Sequence, residues 1–424
     1  MKIPFYRPSI GAEEIDEVVD TLNSGWLTTG PKTKRFESEF AEYLGQRHSV
    51  AVNSCTAALH LALEAVGLKA GDSVVVPTMT FAATAEVVRY FGAEPILADC
   101  RTEDFNLDVA DAERRIRTAL DAGHRVTAII PVHYGGQVGD VAGVQRLASQ
   151  FNLKIIEDAA HCCPAYYRLR TTDLPTMDHP TGGSAYPGDG WSPVGTSADI
   201  SCYSFYANKT ITTGEGGMAC TNSDEYAERM RIMSLHGISK DAWKRFTAEG
   251  SWYYEIIAPG YKYNLTDIAS SIGIHQLRKA AVLHRRRTAL ARKYSELLAD
   301  VAEIITPEVQ PDRIHSWHLY VIRLKLGLLS IDRAQVIKEL QQMGIGTSVH
   351  WMPLHMHPYY RAIYGHETQD LPTAASLYPQ IITLPLYPDM TEDQVVYVCE
   401  SVKAILSRSR LSIALHADES LASH

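Results

Sequence analysis

From about residue 48 onward, short apolar runs rich in β-branched residues alternate with amphipathic ones: HSVAVNS, TAALHLALEAVG, DSVVVPT, FAATAEVVRYFG, EPILADC, AERRIRTAL, RVTAIIPVHY, VAGVQRLASQF and LKIIEDAA follow in turn. Strand-length runs separated by runs of helical period are the signature of βαβ units around a mostly parallel sheet covered on both faces. Sheets of this kind take ligands at the carboxyl ends of their strands. The exits NSCT, PTMTF, PVHYGG, EDAAH and SFYANK are therefore where chemistry is expected.

The alternation breaks between Arg168 and Ser197, where RTTDLPTMDHPTGGSAYPGDGWSPVG is rich in Pro, Gly, Asp and Thr and reads as a long loop. Two further strands, ADISCYSFY and GMACTNS, follow it, and a long helical run begins at Thr266. Strand-like WHLYVIRL, helix-like RAQVIKELQQM and the helix EDQVVYVCESVKAIL predict a smaller α+β domain. The expected division is 1–265 for a large domain, 266–409 for the long helix and the small domain, and 410–424 for a loose tail.

The chain of 424 residues carries a net charge of -9 and no basic block, which argues against a nucleic-acid partner. No apolar run reaches the roughly 18 to 20 residues needed to span a bilayer. The start MKIPFYRPSIGAEEIDE lacks a secretory h-region, so a cytoplasmic location is expected. Seven scattered cysteines, none at zinc spacing, predict reduced core thiols and no metal.

Two residues carry the strongest chemical signal. Asp158 ends the apolar strand LKIIED, where the period of two puts one of the terminal carboxylates, Glu157 or Asp158, on the buried side. A buried carboxylate needs a cation or several donors, although a helix N-cap is the plain alternative. Lys209 lies in CYSFYANKTITTGEGGM between a strand and a glycine cluster, and taken alone it reads as a solvated loop charge. The turn NSCTAALHLAL offers the backbone N–H groups of Thr56 and Ala57 and the Thr56 hydroxyl at a helix N-terminus; Ser204 adds a hydroxyl and Phe81 a flat apolar face. Capping and core packing explain each of these singly. Together, an amine, a buried acid for a pyridinium nitrogen and a phosphate cup form the kit that pyridoxal phosphate requires.

In this chain order, NSCTAAL, PTMTF, EDAAH, SFYANKTITTGEGG and GYKYNLTD resemble the sugar-nucleotide aminotransferases of the DegT/StrS type, from about Ile3 to Leu406. The resemblance implies a fold-type I α/β architecture, with a large, mostly parallel seven-stranded sheet domain and a smaller C-terminal α+β domain. It implies Lys209 as the lysine joined to pyridoxal phosphate, Asp158 as partner of the pyridine nitrogen, and His161 near the phenolic oxygen. Phe81 would stack on the ring, and Thr56, Ala57 and Ser204 would form the phosphate cup. Asn264 would reach the phosphate held by the neighbouring subunit, which implies a homodimer with shared active sites. The implied reaction moves an amino group from glutamate, released as 2-oxoglutarate, to a nucleotide-linked keto sugar, with Lys209 as acid and base for the proton shift.

On the substrate side, WLTTGP and the N-terminal segment make Thr29 and Tyr6 candidates. His318 in SWHLY, with His350 and His355 in TSVHWMPLHMHPYY, falls where the family brings the small domain to the mouth of the site. The GYKYNLTD and SWHLY forms look most like enzymes acting on 4-keto UDP-sugars, of the kind that feed lipid A arabinose or bacterial nonulosonic acids. A dTDP- or GDP-linked sugar, a 3-keto sugar, a keto-cyclitol and a non-catalytic regulatory relative stay open; the family's dehydratases carry histidine where Lys209 stands. Two departures from the family pattern stand out. Cys55 replaces a glycine of the NSGTAAL turn, which costs conformational energy if that position needs φ > 0. The 168–197 loop is longer than its counterpart and bears on which nucleotide is accepted.

Overall fold

The computed structural model describes residues 1–169, 190–239 and 254–411. Most of the expected 168–197 loop and of the expected 410–424 tail lies outside the described residues. The strands, in chain order, are β1 (His48–Val52), β2 (Asp72–Pro77), β3 (Glu94–Ala98), β4 (Arg125–Ile129), β5 (Lys154–Asp158), β6 (Tyr166–Tyr167), β7 (Ser192–Pro193), β8 (Ile200–Ser204), β9 (Gly217–Thr221), β10 (Ile304–Ile305), β11 (Arg313–Ile314), β12 (Tyr320–Leu324) and β13 (Ile381–Leu384).

Seven of them form one sheet in the order β1-β9-β8-β5-β4-β2-β3. Only β9 runs against its neighbours, β1 and β8; the other pairings are parallel. This is the large, mostly parallel sheet that the alternating runs predict. Successive residues serve opposite faces: Val74 and Val76 pack with Leu59 and Leu63 on one side, and Val75 packs with Ile116 and Leu147 on the other. The double cover corrects the reading of β5. Glu157 and Asp158 are both buried, because neither face of the sheet is left to solvent.

A second sheet, β10-β12-β13, is antiparallel and packs with the helices Ala280–Leu298, Arg333–Gln342 and Glu392–Arg408 around Leu290, Tyr294, Ile322, Val336 and Val398. Ile3 is buried in this core too: its N–H donates to the Gly344 carbonyl and its carbonyl accepts from the Gly346 N–H, both at 2.8 Å.

The long helical run splits into Asp267–Arg278 and Ala280–Leu298. Thr266 caps the first by accepting from the Ala269 N–H, and Lys279 between them has ψ 5°, far from the helical value of about −42°. The Lys279 ammonium is anchored there on buried Glu14 at 2.5 Å. Within the described part of the expected loop, β7 pairs with β6 and β6 with β11 in a third small sheet, so Ser192–Pro193 is strand. The described start of the expected tail is also tied down, through a bridge between Arg410 and Leu329. Among the described residues no helix is long and apolar enough to cross a membrane, and no group of three or more His, Cys, Asp or Glu is placed to hold a metal ion.

Candidate active site

Asp158 closes β5 at a carboxyl edge of the sheet and is 6% exposed. Its Oδ2 accepts from the Thr84 hydroxyl at 2.9 Å and its Oδ1 from the Ala160 N–H at 3.2 Å. Burial raises its pKa, opposed by those two donors and by the nearby Lys209. Thr84 was not foreseen. It lies in the first turn of the helix Ala83–Arg89, and its hydroxyl also meets that of Thr80 at 2.9 Å. The i, i+4 pair of threonines after the β2 exit was the available signal.

Lys209 sits in the turn between β8 and β9, where its N–H donates to the Tyr206 carbonyl at 2.9 Å. The residue as a whole is half-buried, but its amine end is enclosed. Burial draws the amine from 10.5 down to about 8, resisted by nearby Cys55 and Asp158. The antiparallel return of β9 places this turn: the hairpin carries the lysine from the exit of β8 back toward β1.

At the β1 exit, Ser54 caps the helix Cys55–Ala65 by accepting from the Ala57 N–H at 3.1 Å. Ala57 is thus already paired, whereas the N–H groups of Cys55 and Thr56, the first two of the helix, have no intrahelical acceptor and point to anion binding. Cys55 is not among the residues with positive φ, so the strain considered for it does not arise. The close approach falls on Gly217 instead, where a Cβ would come within 2.5 Å of the Ser54 carbonyl and 2.6 Å of the Cys55 nitrogen. Burial pushes the Cys55 thiol well up, so it stays protonated. Ser204 ends β8, its hydroxyl accepting from the Tyr206 N–H at 3.4 Å, and Phe81 stands 60% exposed at the β2 exit.

His161 is buried and its Nδ1 accepts from the Gly135 N–H at 3.1 Å. Trp351 stacks on its ring at 5.2 Å and 16°, and the His318 ring lies 4.4 Å away. Burial and Lys209 press both imidazoles to the neutral form, and among the described residues His318 Nδ1 has no hydrogen-bond partner. His350 belongs to the same group: it stacks on Phe5, its Nδ1 meets the Thr383 hydroxyl at 2.8 Å, and burial and Lys209 lower its pKa to about 4. His355 does not. Its Nδ1 meets the Thr78 hydroxyl at 2.8 Å, and its electrostatic neighbours are His366, Asp99 and Asp370. Tyr6 lines a cavity with Lys209. Asn264 donates to the Thr29 hydroxyl at 2.7 Å and accepts from Lys262 at 2.6 Å, so these two candidates are joined to each other. Trp351, on a segment remote from His161 in sequence, carried no local signal.

The set fits a phosphate-bearing aromatic cofactor: an amine of lowered pKa, a buried carboxylate whose hydrogen-bond donors are all neutral, and free helix N–H groups. Among curated relatives, the chain is 44% identical to an uncharacterized protein of Methanocaldococcus jannaschii, over 96% of this chain and 98% of the other. It is 40% identical to the spore coat polysaccharide biosynthesis protein SpsC of Bacillus subtilis, over 95% and 97%. Among solved structures, Spr1654 of Streptococcus pneumoniae, described as a sugar aminotransferase and solved in its PLP form, superposes with a TM-score of 0.83 at 32% identity, covering 96% of this chain and 99% of that one. PseC of Helicobacter pylori, an aminotransferase involved in the biosynthesis of pseudoaminic acid, gives 0.82 at 26% identity, covering 96% and 100%. The fold is that of the fold-type I aminotransferases. The family model for DegT/DnrJ/EryC1/StrS aminotransferases matches residues 8–403, and the chain belongs to that family.

Proposed function

We propose that this protein moves an amino group from glutamate to a keto sugar carried on a nucleotide, with a 4-keto UDP-sugar as the acceptor class. It is a sugar aminotransferase and its cofactor is pyridoxal phosphate; the donor, the nucleotide and the position of the keto group are our reading. The observation that carries it is that parallel β5 and β8 bring buried Asp158 and the enclosed amine of Lys209 within electrostatic reach of each other.

When bound, pyridoxal phosphate supplies an electron-withdrawing ring that stabilises charge on the carbon losing its proton. Asp158 holds the proton of the ring nitrogen, and Thr84 fixes Oδ2 for that contact. Lys209 Nζ takes and returns the transferred proton, which requires it to be neutral at working pH. The N–H groups of Cys55 and Thr56 and the hydroxyls of Thr56 and Ser204 would hold the phosphate at the positive end of the helix, beside Ala57. Phe81, exposed at the β2 exit, would cover one side of the ring, and His161, backed by Trp351, would exclude water beside it.

Tyr6, Thr29, His318 and His350 are the candidates for the sugar nucleotide; the orphan Nδ1 of His318 suits a sugar hydroxyl. The likeness to PseC, involved in the biosynthesis of pseudoaminic acid, supports a sugar acceptor, and the likeness to SpsC supports polysaccharide synthesis. We read the active unit as a homodimer in which Asn264 of each protomer meets the other's phosphate. Ile15, Val19 and Leu22, all exposed and spaced along one face of the helix Ala12–Ser24, support an interface with a second copy.

The test is to load the protein with pyridoxal phosphate, add glutamate, and then add 4-keto and 3-keto nucleotide sugars while recording visible spectra and product masses. Glutamate should bleach the yellow cofactor, and a 4-keto UDP-sugar should restore it while gaining an amino group. A spectrum indifferent to glutamate sinks the donor assignment; restoration only by 3-keto sugars sinks the acceptor.

A further inference from the structure

Glu157 and His133 form a buried pair that the proposed reaction does not use. Both side chains are shut off from solvent, and His133 Nε2 meets Glu157 Oε1 at 2.9 Å. The Gly139 N–H donates to His133 Nδ1 at 3.1 Å, so that nitrogen is bare and the ring proton sits on Nε2, where it donates to Glu157. The other carboxylate oxygen, Oε2, has no hydrogen-bond partner among the described residues. A buried polar pair of this kind is a poor source of stability, since apolar side chains of the same volume often serve as well. Its use is better sought in what it orients.

The pair stands directly behind the candidate site. Glu157 precedes Asp158 on β5, and His133 ends the segment that continues β4. Backbone bonds join the two: the Asp158 N–H donates to the Pro131 carbonyl at 2.9 Å, and the Asp158 carbonyl accepts from the His133 N–H at 3.3 Å. From His133 the chain enters the turn Tyr134–Gly136. Gly136 has φ 99°, and a Cβ there would strike Ser316 Oγ and come within 3.0 Å of the His161 carbonyl oxygen. The turn reaches three further segments of the site. The Gly135 N–H donates to His161 Nδ1 at 3.1 Å, the carbonyls of Gly135 and Gly136 accept from Leu319 and Ser316 at 3.0 Å each, and the Tyr134 hydroxyl donates to the His350 carbonyl. With Nδ1 of His161 taken as an acceptor, the proton of that neutral ring is on Nε2.

We infer that Glu157 and His133 are positioning residues: they pin the turn whose Gly135 N–H keeps the His161 proton on Nε2, so that His161 offers an N–H to the phenolic oxygen of the cofactor. This rests on the reading that puts His161 beside that oxygen. Glu157 orients His133, His133 fixes the start of the turn, and the turn sets the tautomer of a ring that Glu157 itself never meets.

The experiment compares the full-length wild type with its Glu157→Met, Glu157→Gln, His133→Gln and His161→Asn variants. In the cofactor-loaded proteins, titration of the visible band against pH reports on the phenolic oxygen. In the cofactor-free proteins, nitrogen NMR of isotope-labelled histidine reads which ring nitrogen of His161 carries the proton. Glu157→Met leaves the His133 N–H without its acceptor, so His161 should populate both tautomers. The yellow band should then persist to a pH about one unit higher, the worth of one hydrogen bond to a charged acceptor, because an oxygen without its donor holds the neighbouring proton more tightly. Glu157→Gln keeps an oxygen for His133 and should restore most of the wild-type behaviour. His133→Gln keeps a donor toward Glu157 but drops the acceptor of the Gly139 N–H; it should move the band the same way, and it carries the test if Glu157→Met fails to fold. A Glu157→Met protein that unfolds at lower urea yet keeps the wild-type titration and the Nε2 proton overturns the inference. If His161→Asn leaves the band in place, the reading of His161 fails, and the NMR of His161 still decides whether the pair sets its tautomer.

Discussion

The Thr84 hydroxyl donates to Asp158 Oδ2 at 2.9 Å, joining the helix that follows β2 to the end of β5. Among the described residues the remaining oxygen accepts only the Ala160 N–H, so no hydrogen-bonded cation among them neutralises this carboxylate. Asp158→Asn should retain cofactor but lose turnover on the order of 100-fold, because the amide carries no charge to hold the ring nitrogen's proton. Thr84→Val keeps the shape and removes one bond to a charged acceptor, so turnover should fall about tenfold. Steady-state rates with the cofactor content checked by absorbance measure both. An undiminished rate for Asp158→Asn would remove it from the mechanism.

Lys209 supplies a pH dependence that can be read without the sugar substrate. Its amine titrates at about 8 in the folded protein, and only the neutral form attacks an aldehyde. The rate at which cofactor-free protein captures pyridoxal phosphate should climb about tenfold per pH unit below that value and level off above it. Stopped-flow absorbance follows the yellow product. A profile still rising steeply at pH 10 means an unshifted lysine.

Gly217 faces the turn that follows β1 with no room for a side chain. Gly217→Ala pushes a methyl into the Ser54 carbonyl and the Cys55 nitrogen, and should cost about 1–3 kcal/mol of stability as well as phosphate affinity. Denaturant unfolding and cofactor titration test the two parts separately. Free phosphate should protect the native protein against heat and protect this variant less.

His60, His350 and His355 are buried, and burial lowers each to about 4. In the unfolded chain they titrate near 6.5, so between about pH 6.5 and 4 the unfolded state binds protons that the native state refuses. Stability is intact above that window and drains as pH falls through it, by roughly 3 kcal/mol for each histidine at pH 4. Urea midpoints measured across this range should drop steeply. Replacing His60 by Phe should flatten the slope.

Much of this candidate site is legible in the sequence because its parts stand at strand exits. The runs ending at Ser54, Phe81, Asp158 and Lys209 are each marked locally by a strand followed by small or polar residues, and a parallel sheet brings such ends together whatever the connecting helices are. What escaped lies on packing between segments far apart. Nothing near Trp351 announces His161, and His350 and His355 look equivalent in sequence although one joins the site and the other caps Thr78. Of Arg285, Arg286 and Arg287 on the helix Ala280–Leu298 only the third is buried, a difference that appears only once the phase of the helix is known. The burial of Glu157 was misread because a period of two assigns opposite faces but cannot say that both are covered; behind the sheet its carboxylate meets His133 at 2.9 Å.

The backbone exchange between Ile3 and Gly344–Gly346 has a consequence for biosynthesis. The second core takes a strand-like segment from the beginning of the chain, so it stays unfinished until translation has passed Ile345, a wait on the order of tens of seconds. Through that interval Ile3 lacks its backbone partners Gly344 and Gly346, and the second core lacks the exchange that ties the segment down. Ribosome-bound chains stalled before Ile345 should therefore lose their first residues to protease, and chains stalled well beyond it should keep them.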